Sequence, residues 1–118
     1  MLDRAERLQR HFFTHATVAW EPPVDVVEAG DLIQVQVALP GVRPDSITIG
    51  IDPGGVSISA LRAFPCRENT TQIQRIEIPY GRFERRLPLG DPDAPLELVE
   101  KALEDGVLTL SFRKKESA

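Results

Sequence analysis

The clearest pattern in this sequence is a turn near its end that leads directly into a strand with one apolar face. Asp105-Gly106 is a dipeptide that readily adopts the positive φ angles of a tight hairpin turn. Beyond it every second side chain is large and apolar, which puts Leu108, Leu110 and Phe112 on the same face. A lone hairpin is only marginally stable in water. The rest of the chain must therefore supply more strands and an apolar surface to cover this face.

Short alternating runs earlier in the chain provide those strands. Apolar residues recur at every second position near residues 24–28, 32–39, 47–51 and 56–60, and glycine or proline lies between the runs. The first run has the character of an edge strand and the second that of a half-buried antiparallel strand. Strands of this length joined by such turns indicate an antiparallel sandwich rather than a fold that alternates helix and strand. The sequence predicts an all-β fold.

A polar, irregular stretch covers residues 62–74 and is too long for a tight hairpin. Loops of this length inside a compact domain are commonly functional or disordered, so we expect a partner to dock there. Its single cysteine, Cys66, cannot form an internal disulfide. Strands should resume at Arg75, where Ile76 and Ile78 lead to a Pro-Tyr-Gly turn.

Arg85 interrupts the apolar face of the strand that follows this turn. Alternation places it on the same side as Phe83 and Leu87. One interpretation is that its guanidinium group reaches water from an edge strand. The other is a charge-assisted contact across a subunit boundary, for which guanidinium geometry is well suited. The local sequence favours neither.

The stretch 96–103 is ambiguous between helix and strand. Leu96, Val99 and Leu103 have helical spacing, whereas Val99, Lys101 and Leu103 also alternate as in a strand. Propensity alone favours the helix.

The first nineteen residues form an arm that is predicted to be a short amphipathic helix or flexible. Apolar residues recur there at spacings of three and four, with arginines between them. The arm either packs on its own domain or remains exposed and presents Leu8, Phe12 and Phe13 to other proteins. Membrane-surface binding is disfavoured by Asp3 and Glu6. His11 and His15 lack a further metal ligand, so a solvated face is expected there.

Composition and charge restrict the function classes. The chain has 118 residues, enough for one domain, and a net charge of −4, which argues against general affinity for nucleic acid. No apolar run approaches the roughly 20 residues of a membrane span. The start of the sequence has no signal-peptide pattern, and one cysteine suits a reducing compartment. We therefore expect a cytoplasmic protein.

Enzymatic motifs are lacking. The sequence has no phosphate-binding loop, no cysteine pair for zinc and no His-Glu-x-x-His pattern. Asp25, Glu28 and Glu77 could be imagined as acid-base partners, but solvated strand carboxylates are far commoner. We predict a non-enzyme with no catalytic residue, no cofactor and no bound metal.

Four segments in this order resemble bacterial small heat-shock proteins, the alpha-crystallin-domain family. They are Trp20–Glu28, the Leu-Pro-Gly-Val of 39–42, the Tyr-Gly-Arg-Phe-Glu-Arg of 80–85 and the Gly-Val-Leu-Thr-Leu of 106–110. The resemblance covers 20–114 and implies an immunoglobulin-like sandwich, with an arm at 1–19 and a polar tail at 115–118. It implies that 99–103 is a strand, against its helical propensity.

The resemblance also implies how subunits associate. A short strand from the long loop is exchanged between two subunits, and Arg85, Phe64 and Ile73 lie at this dimer interface. A groove lies between two strands and receives an Ile-x-Ile or Ile-x-Val tail from a neighbour. The residues that form its walls are Ile47, Ile49, Ile51, Val99 and Leu103.

The sequence departs from the family pattern at three places. Lys101 replaces a small residue in the groove, Gly90 stands where a proline is common, and the sequence ends at Ala118 without the paired apolar tail residues. Two aliphatic side chains contribute roughly 1.5 to 3 kcal/mol each when buried. We therefore expect the groove to be empty. We also expect a homodimer, or small assemblies of that dimer, rather than a large shell.

The family resemblance implies an ATP-independent holdase that binds unfolding client proteins, with the arm and the apolar surface between the sheets as binding elements. The alternative is a non-catalytic interaction module, like a co-chaperone, that binds one defined protein partner. The apolar arm and the long loop favour the holdase.

Overall fold

The computed structural model describes residues 19–64, 72–91 and 93–115 of the chain. The predicted client-binding residues Leu8, Phe12 and Phe13 lie outside these ranges, as does Cys66. The strands are β1 Val24–Ala29, β2 Leu32–Ala38, β3 Thr48–Asp52, β4 Gly55–Arg62, β5 Gly81–Leu87, β6 Leu96–Glu104 and β7 Val107–Lys114. A single 3-10 turn, Pro44–Ser46, accompanies them in the described ranges.

The strands form two antiparallel sheets that pack face to face. One sheet has the order β1-β2-β7-β6 and the other the order β3-β4-β5. Every pairing between neighbouring strands is antiparallel. This arrangement confirms the predicted all-β, immunoglobulin-like sandwich.

The hairpin at the end of the chain lies at the centre of the larger sheet. Asp105 and Gly106 both have positive φ angles, 52° and 77°, as a two-residue hairpin turn of this type requires. Strand β7 pairs with β2 on one side and β6 on the other. Leu108, Leu110 and Phe112 are fully buried, so the predicted apolar face is the centre of the core.

Alternating residues of three strands complete the core. The inward residues of β2 and β4 are buried together with those of β7, and the ends of β5 contribute further apolar side chains. They are Ile33, Val35, Val37, Val56, Ile58, Ala60, Phe83 and Leu87. Apart from the exposed Leu32, the opposite faces of β2 and β7 carry small or polar residues and one valine, which is the pattern expected when one side of a sheet meets water.

Strand β6 shows that helical propensity over 96–103 gives the wrong structure. It pairs with β7 along its length, with a register shift between Leu98 and Glu100. The bulge explains the mixed spacing in the sequence, because one extra residue moves the apolar side chains from one alternation to the next. Backbone pairing with β7 and contact with the core outweigh the weak intrinsic preference for a helix.

The prediction that strands resume at Arg75 is wrong. Strand β5 begins only at Gly81, and residues 75–78 belong to no strand. Pro79 has no N–H group, and no described strand lies beside this stretch to pair with it. The consequence is an exposed segment directly before β5.

Candidate functional site

Three strand edges are open within the described ranges. They are the outer edge of β1, the outer edge of β6 and the edge of β3, since each of these strands pairs with one neighbour only. The edge of β5 is covered in part by Trp20. The Trp20 backbone N–H donates to the Arg82 carbonyl at 3.0 Å, and the Glu84 N–H donates to the Trp20 carbonyl at 2.9 Å. An open edge offers unpaired backbone groups to another chain.

The edges of β3 and β6 lie on the same side of the sandwich. On the other side, Trp20 bonds to the outer edge of β5, and the chain then enters β1 at Val24. A cavity of about 400 Å³ at this end of the sandwich is lined by Val26 and Glu28 of β1, by Leu89, and also by Ala94 and Lys114. Since β1 faces the end of β5 there, the stacked sheets bring β3 to the side of β6. The sequence predicts a groove between these two edges, and the groove itself stays a prediction.

The groove walls are the inward faces of β3 and β6. Ile49 and Ile51 point inward because their partners on β4, Ile58 and Val56, are core residues. On β6, Leu103 is opposite Leu108 and Leu98 is opposite Phe112, so both point inward. Ile47, Ile49, Leu98 and Leu103 pack against the core while remaining partly exposed. Sequence analysis missed Leu98, because the bulge hides its alternation.

Two of the predicted groove residues remain notably exposed. Ile51 is 41% exposed and Val99, which lies at the bulge, is 44% exposed. An open edge with apolar side chains therefore offers another chain two things, unpaired backbone groups and apolar surface that is stabilised by burial.

Lys101 is the charged residue of the β6 wall. It lies opposite Leu110, which is fully buried, so its side chain leaves the strand on the inward face. The residue as a whole is exposed and makes no ion pair with any residue that the structure describes. Glu100 and Glu104 are opposite Ser111 and Val107 and therefore point to the other face of the sheet.

The β1 edge is a second apolar surface. Val26 faces the cavity beside β5, and Val27 on the other face is 59% exposed. Glu28 pairs with Lys114 at the end of the strand. A strand added here would meet valines on both faces of β1.

Arg85 lies on the inward face of β5 opposite Ile58, as its alternation predicts. Its guanidinium Nη1 is 3.5 Å from a carboxylate oxygen of Glu21, and its side chain is 33% exposed. The position at an edge strand and the partial exposure agree with a guanidinium that reaches water along the sheet edge. Its predicted role at a dimer interface stays a prediction.

An aromatic cluster joins the two ends of the connection between β4 and β5 to the start of the domain. The Phe64 and Tyr80 rings meet edge to face with centroids 5.0 Å apart, and the Arg62 guanidinium lies 4.7 Å from the Tyr80 centroid. Trp20 Nε1 donates to the Tyr80 carbonyl at 3.0 Å. Sequence analysis did not find this cluster. The feature of the sequence that could have revealed it is an aromatic residue near each end of the connection between β4 and β5, namely Phe64 and Tyr80.

Residues 19–64, 72–91 and 93–115 contain neither a cluster of metal ligands nor a helix that could span a membrane. No group of three or more histidine, cysteine, aspartate or glutamate residues there could hold a metal ion. No helix within them is long and apolar enough to cross a membrane.

The described part of the chain is a two-sheet antiparallel sandwich with three open strand edges. Residues 25–118 match the model of the Hsp20/alpha crystallin family. The chain belongs to this family, which confirms the resemblance to small heat-shock proteins found in the sequence.

Individual relatives agree with this assignment. The 23.2 kDa heat shock protein of Oryza sativa is 38% identical over 99 residues, which cover 77% of this chain and 44% of the rice protein. The chain therefore spans less than half the length of that relative. Among solved structures, hspA from Xanthomonas axonopodis is 33% identical with a TM-score of 0.69, covering 86% of this chain and 100% of that chain.

A small heat-shock protein from Xylella fastidiosa, described as having a distinct high-order structure, is 29% identical with a TM-score of 0.67. The alignment covers 86% of this chain and 92% of that chain.

Proposed function

We propose that this protein is an ATP-independent holdase chaperone that binds unfolding proteins and prevents their aggregation. The observation that carries the proposal is the set of open strand edges with exposed apolar side chains, of which Val27, Ile51 and Val99 are examples. Unfolding proteins expose extended apolar segments, and such segments can pair with an open edge while burying their side chains. Membership of the Hsp20/alpha crystallin family supports a chaperone role.

The arm provides the second client-binding element in this proposal. Leu8, Phe12 and Phe13 are large apolar residues within a segment that carries three arginines. An adaptable apolar segment can contact clients of many shapes, because it needs no preformed complementary surface. We place this activity in the cytoplasm, since one cysteine in the chain suits a reducing compartment.

The proposed functional unit is a homodimer formed by strand exchange. A short strand from the loop at 62–74 of one subunit pairs with the β1 edge of the other. Phe64 and Ile73 lie within this loop near its two ends, and Arg85 forms an ion pair with Glu21, which lies shortly before β1. Exchange satisfies backbone groups that an open edge leaves unpaired, which makes it a low-cost route to dimers. The groove between β3 and β6 then remains available for links between dimers.

The holdase proposal can be tested by measuring the light scattered as a test enzyme unfolds on heating and aggregates. A several-fold molar excess of this protein should suppress the scattering, and added ATP should change nothing. Unchanged aggregation, or suppression that requires ATP, would contradict the proposal. A protein that protects no unrelated enzyme and captures one partner would instead be the dedicated interaction module.

A further inference from the structure

The outer face of the four-stranded sheet, which points away from the core, contains a depression with acidic margins. A cavity of about 420 Å³ lies at one end of this face. Its lining includes Asp25 of β1, Glu104 of β6 and Asp105 in the turn that follows β6. All three of these residues are exposed. This depression is termed the acidic trough.

Small or uncharged side chains form the floor of the acidic trough. Each of them alternates with the inward residues of β2, β6 or β7, so it points away from the core. Most of the floor on the two central strands is half-buried, whereas the acidic residues at the margins are exposed. The floor therefore lies lower than its margins. The floor residues are Gln36 and Ala38 of β2, Val107 and Thr109 of β7, and Ala102 of β6.

The two acidic margins lie on the opposite outer strands of the sheet. Asp25 on β1 is opposite Gln36 on β2, and Glu104 on β6 is opposite Val107 on β7. Neighbouring strands lie about 4.8 Å apart, so three strand spacings separate the margins by roughly 14 Å. An extended segment that lies over β2 and β7 would therefore have carboxylates on both flanks.

The carboxylates of the acidic trough are not balanced by a cation of the described ranges. Every ion pair that the structure describes there uses other carboxylates. Arg113 is a cation on the same face, but it lies beyond the trough and pairs with Asp31 at 3.8 Å. Lys101 points to the inward face of β6. The trough therefore keeps a negative field that attracts positively charged groups.

We propose that the acidic trough binds basic extended segments of unfolding client proteins, whose lysine or arginine side chains contact its carboxylate margins. This inference rests on the proposed holdase function and names a class of client for it. The apolar stems of basic side chains can lie on Ala38 and Val107 while their charged ends reach Asp25, Glu104 or Asp105. Charge complementarity selects among segments, because an acidic segment is repelled from the same place.

Fluorescence anisotropy with a defined peptide tests the contact on the full chain. The probe is a labelled peptide of about ten residues, roughly 33 Å long when extended, in which arginine alternates with serine. The variant D25N/E104Q/D105N should bind this peptide about tenfold more weakly, because three charge contacts at an exposed site are lost. Asp105→Asn suits the positive φ of 52° at this position. Added salt should weaken binding to the wild-type protein.

Two matched controls separate charge from other effects. The same peptide with citrulline in place of arginine keeps the side-chain shape without the charge and should not bind. The variant D45N/E77Q/D93N loses as many carboxylates outside the trough and should bind the arginine peptide like wild type. Equal binding of the arginine and citrulline peptides to the wild-type protein would overturn the proposal. Equal affinity of the two triple variants for the arginine peptide would also overturn it.

Aggregation assays separate this inference from the holdase proposal. Suppression of a test enzyme with net positive charge should fall several-fold in D25N/E104Q/D105N, whereas suppression of one with net negative charge should stay at the wild-type level. A trough variant that protects both enzymes as well as wild type would overturn the inference and leave the holdase proposal standing. Failure of the wild-type protein on both enzymes would contradict the holdase proposal, and the peptide measurement would still decide whether the trough binds basic segments.

Discussion

Arg86 and Asp52 form a two-point ion pair across the three-stranded sheet. Arg86 Nη1 and Nη2 donate to the two carboxylate oxygens of Asp52 at 3.1 Å and 2.9 Å. The backbone N–H of Gly54 donates to the same carboxylate at 2.7 Å. The pair thus ties the β3–β4 turn to β5, whose backbone is two strands away from β3. Planar guanidinium and carboxylate groups fit each other in this geometry.

This pair predicts a pH dependence of stability. The Arg86 hydrogen bonds, followed by that from Gly54, hold the pKa of Asp52 below its ordinary value of 3.8. Because the pKa is lower in the folded state, the ionised Asp52 contributes fully to the free energy of unfolding at pH values above its pKa in the unfolded chain. This contribution is lost as the pH falls through the pKa in the folded state. Asp52→Asn should therefore lower the free energy of unfolding at neutral pH, and the difference from wild type should shrink below pH 3.8.

Urea unfolding of a double-mutant cycle checks this result. The coupling between Asp52→Asn and Arg86→Gln should be favourable at neutral pH and vanish in acid. Both side chains are about half exposed, so the coupling should also weaken with added salt. A coupling that is independent of pH would show that the carboxylate charge is not its source.

Gly55 at the start of β4 should tolerate no side chain. A Cβ atom there would lie 2.1 Å from the Leu87 carbonyl oxygen, and the φ angle is +145°. Gly55→Ala should lower the free energy of unfolding by more than about 1 kcal/mol, because backbone must move. Gly30→Ala is the control, since Gly30 has a φ of +63° but nothing within 4 Å of the added atom. Equal losses for the two variants would mean that the contact with Leu87 contributes nothing.

Sequence patterns predicted the parts of the fold that local alternation determines. The strand carrying Leu108, Leu110 and Phe112 was recognisable because its turn and its apolar period lie within eight residues. The pairing of β7 with β2 could not be inferred from such patterns, because it joins residues far apart in the chain. Resemblance to the family supplied the sandwich architecture, and the structure supplied the pairing.

Two errors show where local patterns fail. Helical spacing over 96–103 arose from a bulge at Val99, and a bulge is set by the neighbouring strand rather than by its own sequence. Ile76 and Ile78 alternate as in a strand, yet no described neighbour pairs with them. The groove residues were predicted by resemblance, whereas the ion pair between Glu21 and Arg85 required coordinates.

The β1 edge provides a test of strand exchange that leaves the sandwich intact. The two-residue turn after Ala29 makes Ala29 and Leu32 a hydrogen-bonded pair, so by alternation the Val26 N–H points away from β2. Val26→Pro removes this outward donor without removing a hydrogen bond between β1 and β2. We expect monomers by sedimentation, whereas Val26→Ala, which keeps the donor, should remain dimeric.

Circular dichroism should show a folded sandwich for both variants at Val26. A protein carrying proline that is folded and still dimeric would refute exchange at this edge. Deletion of residues from the 62–74 loop should reproduce the monomer, because it removes the strand that β1 receives.

The arm is the last element to test. Replacing Phe12 and Phe13 together with serine removes two aromatic side chains that bury 150–250 Å² each when they pack against a client. We expect the molar ratio needed to suppress aggregation to rise several-fold, while the unfolding transition of the sandwich stays unchanged. Replacing Thr14 and Thr17 with serine is the matched control, since it alters the same arm without removing a large apolar side chain. Unchanged suppression by the Phe12 and Phe13 variant would assign client binding to the strand edges alone. In that case the Ile51→Ser and Val99→Ser variants should suppress aggregation less well than wild type, because these side chains are exposed apolar groups at the edges of β3 and β6.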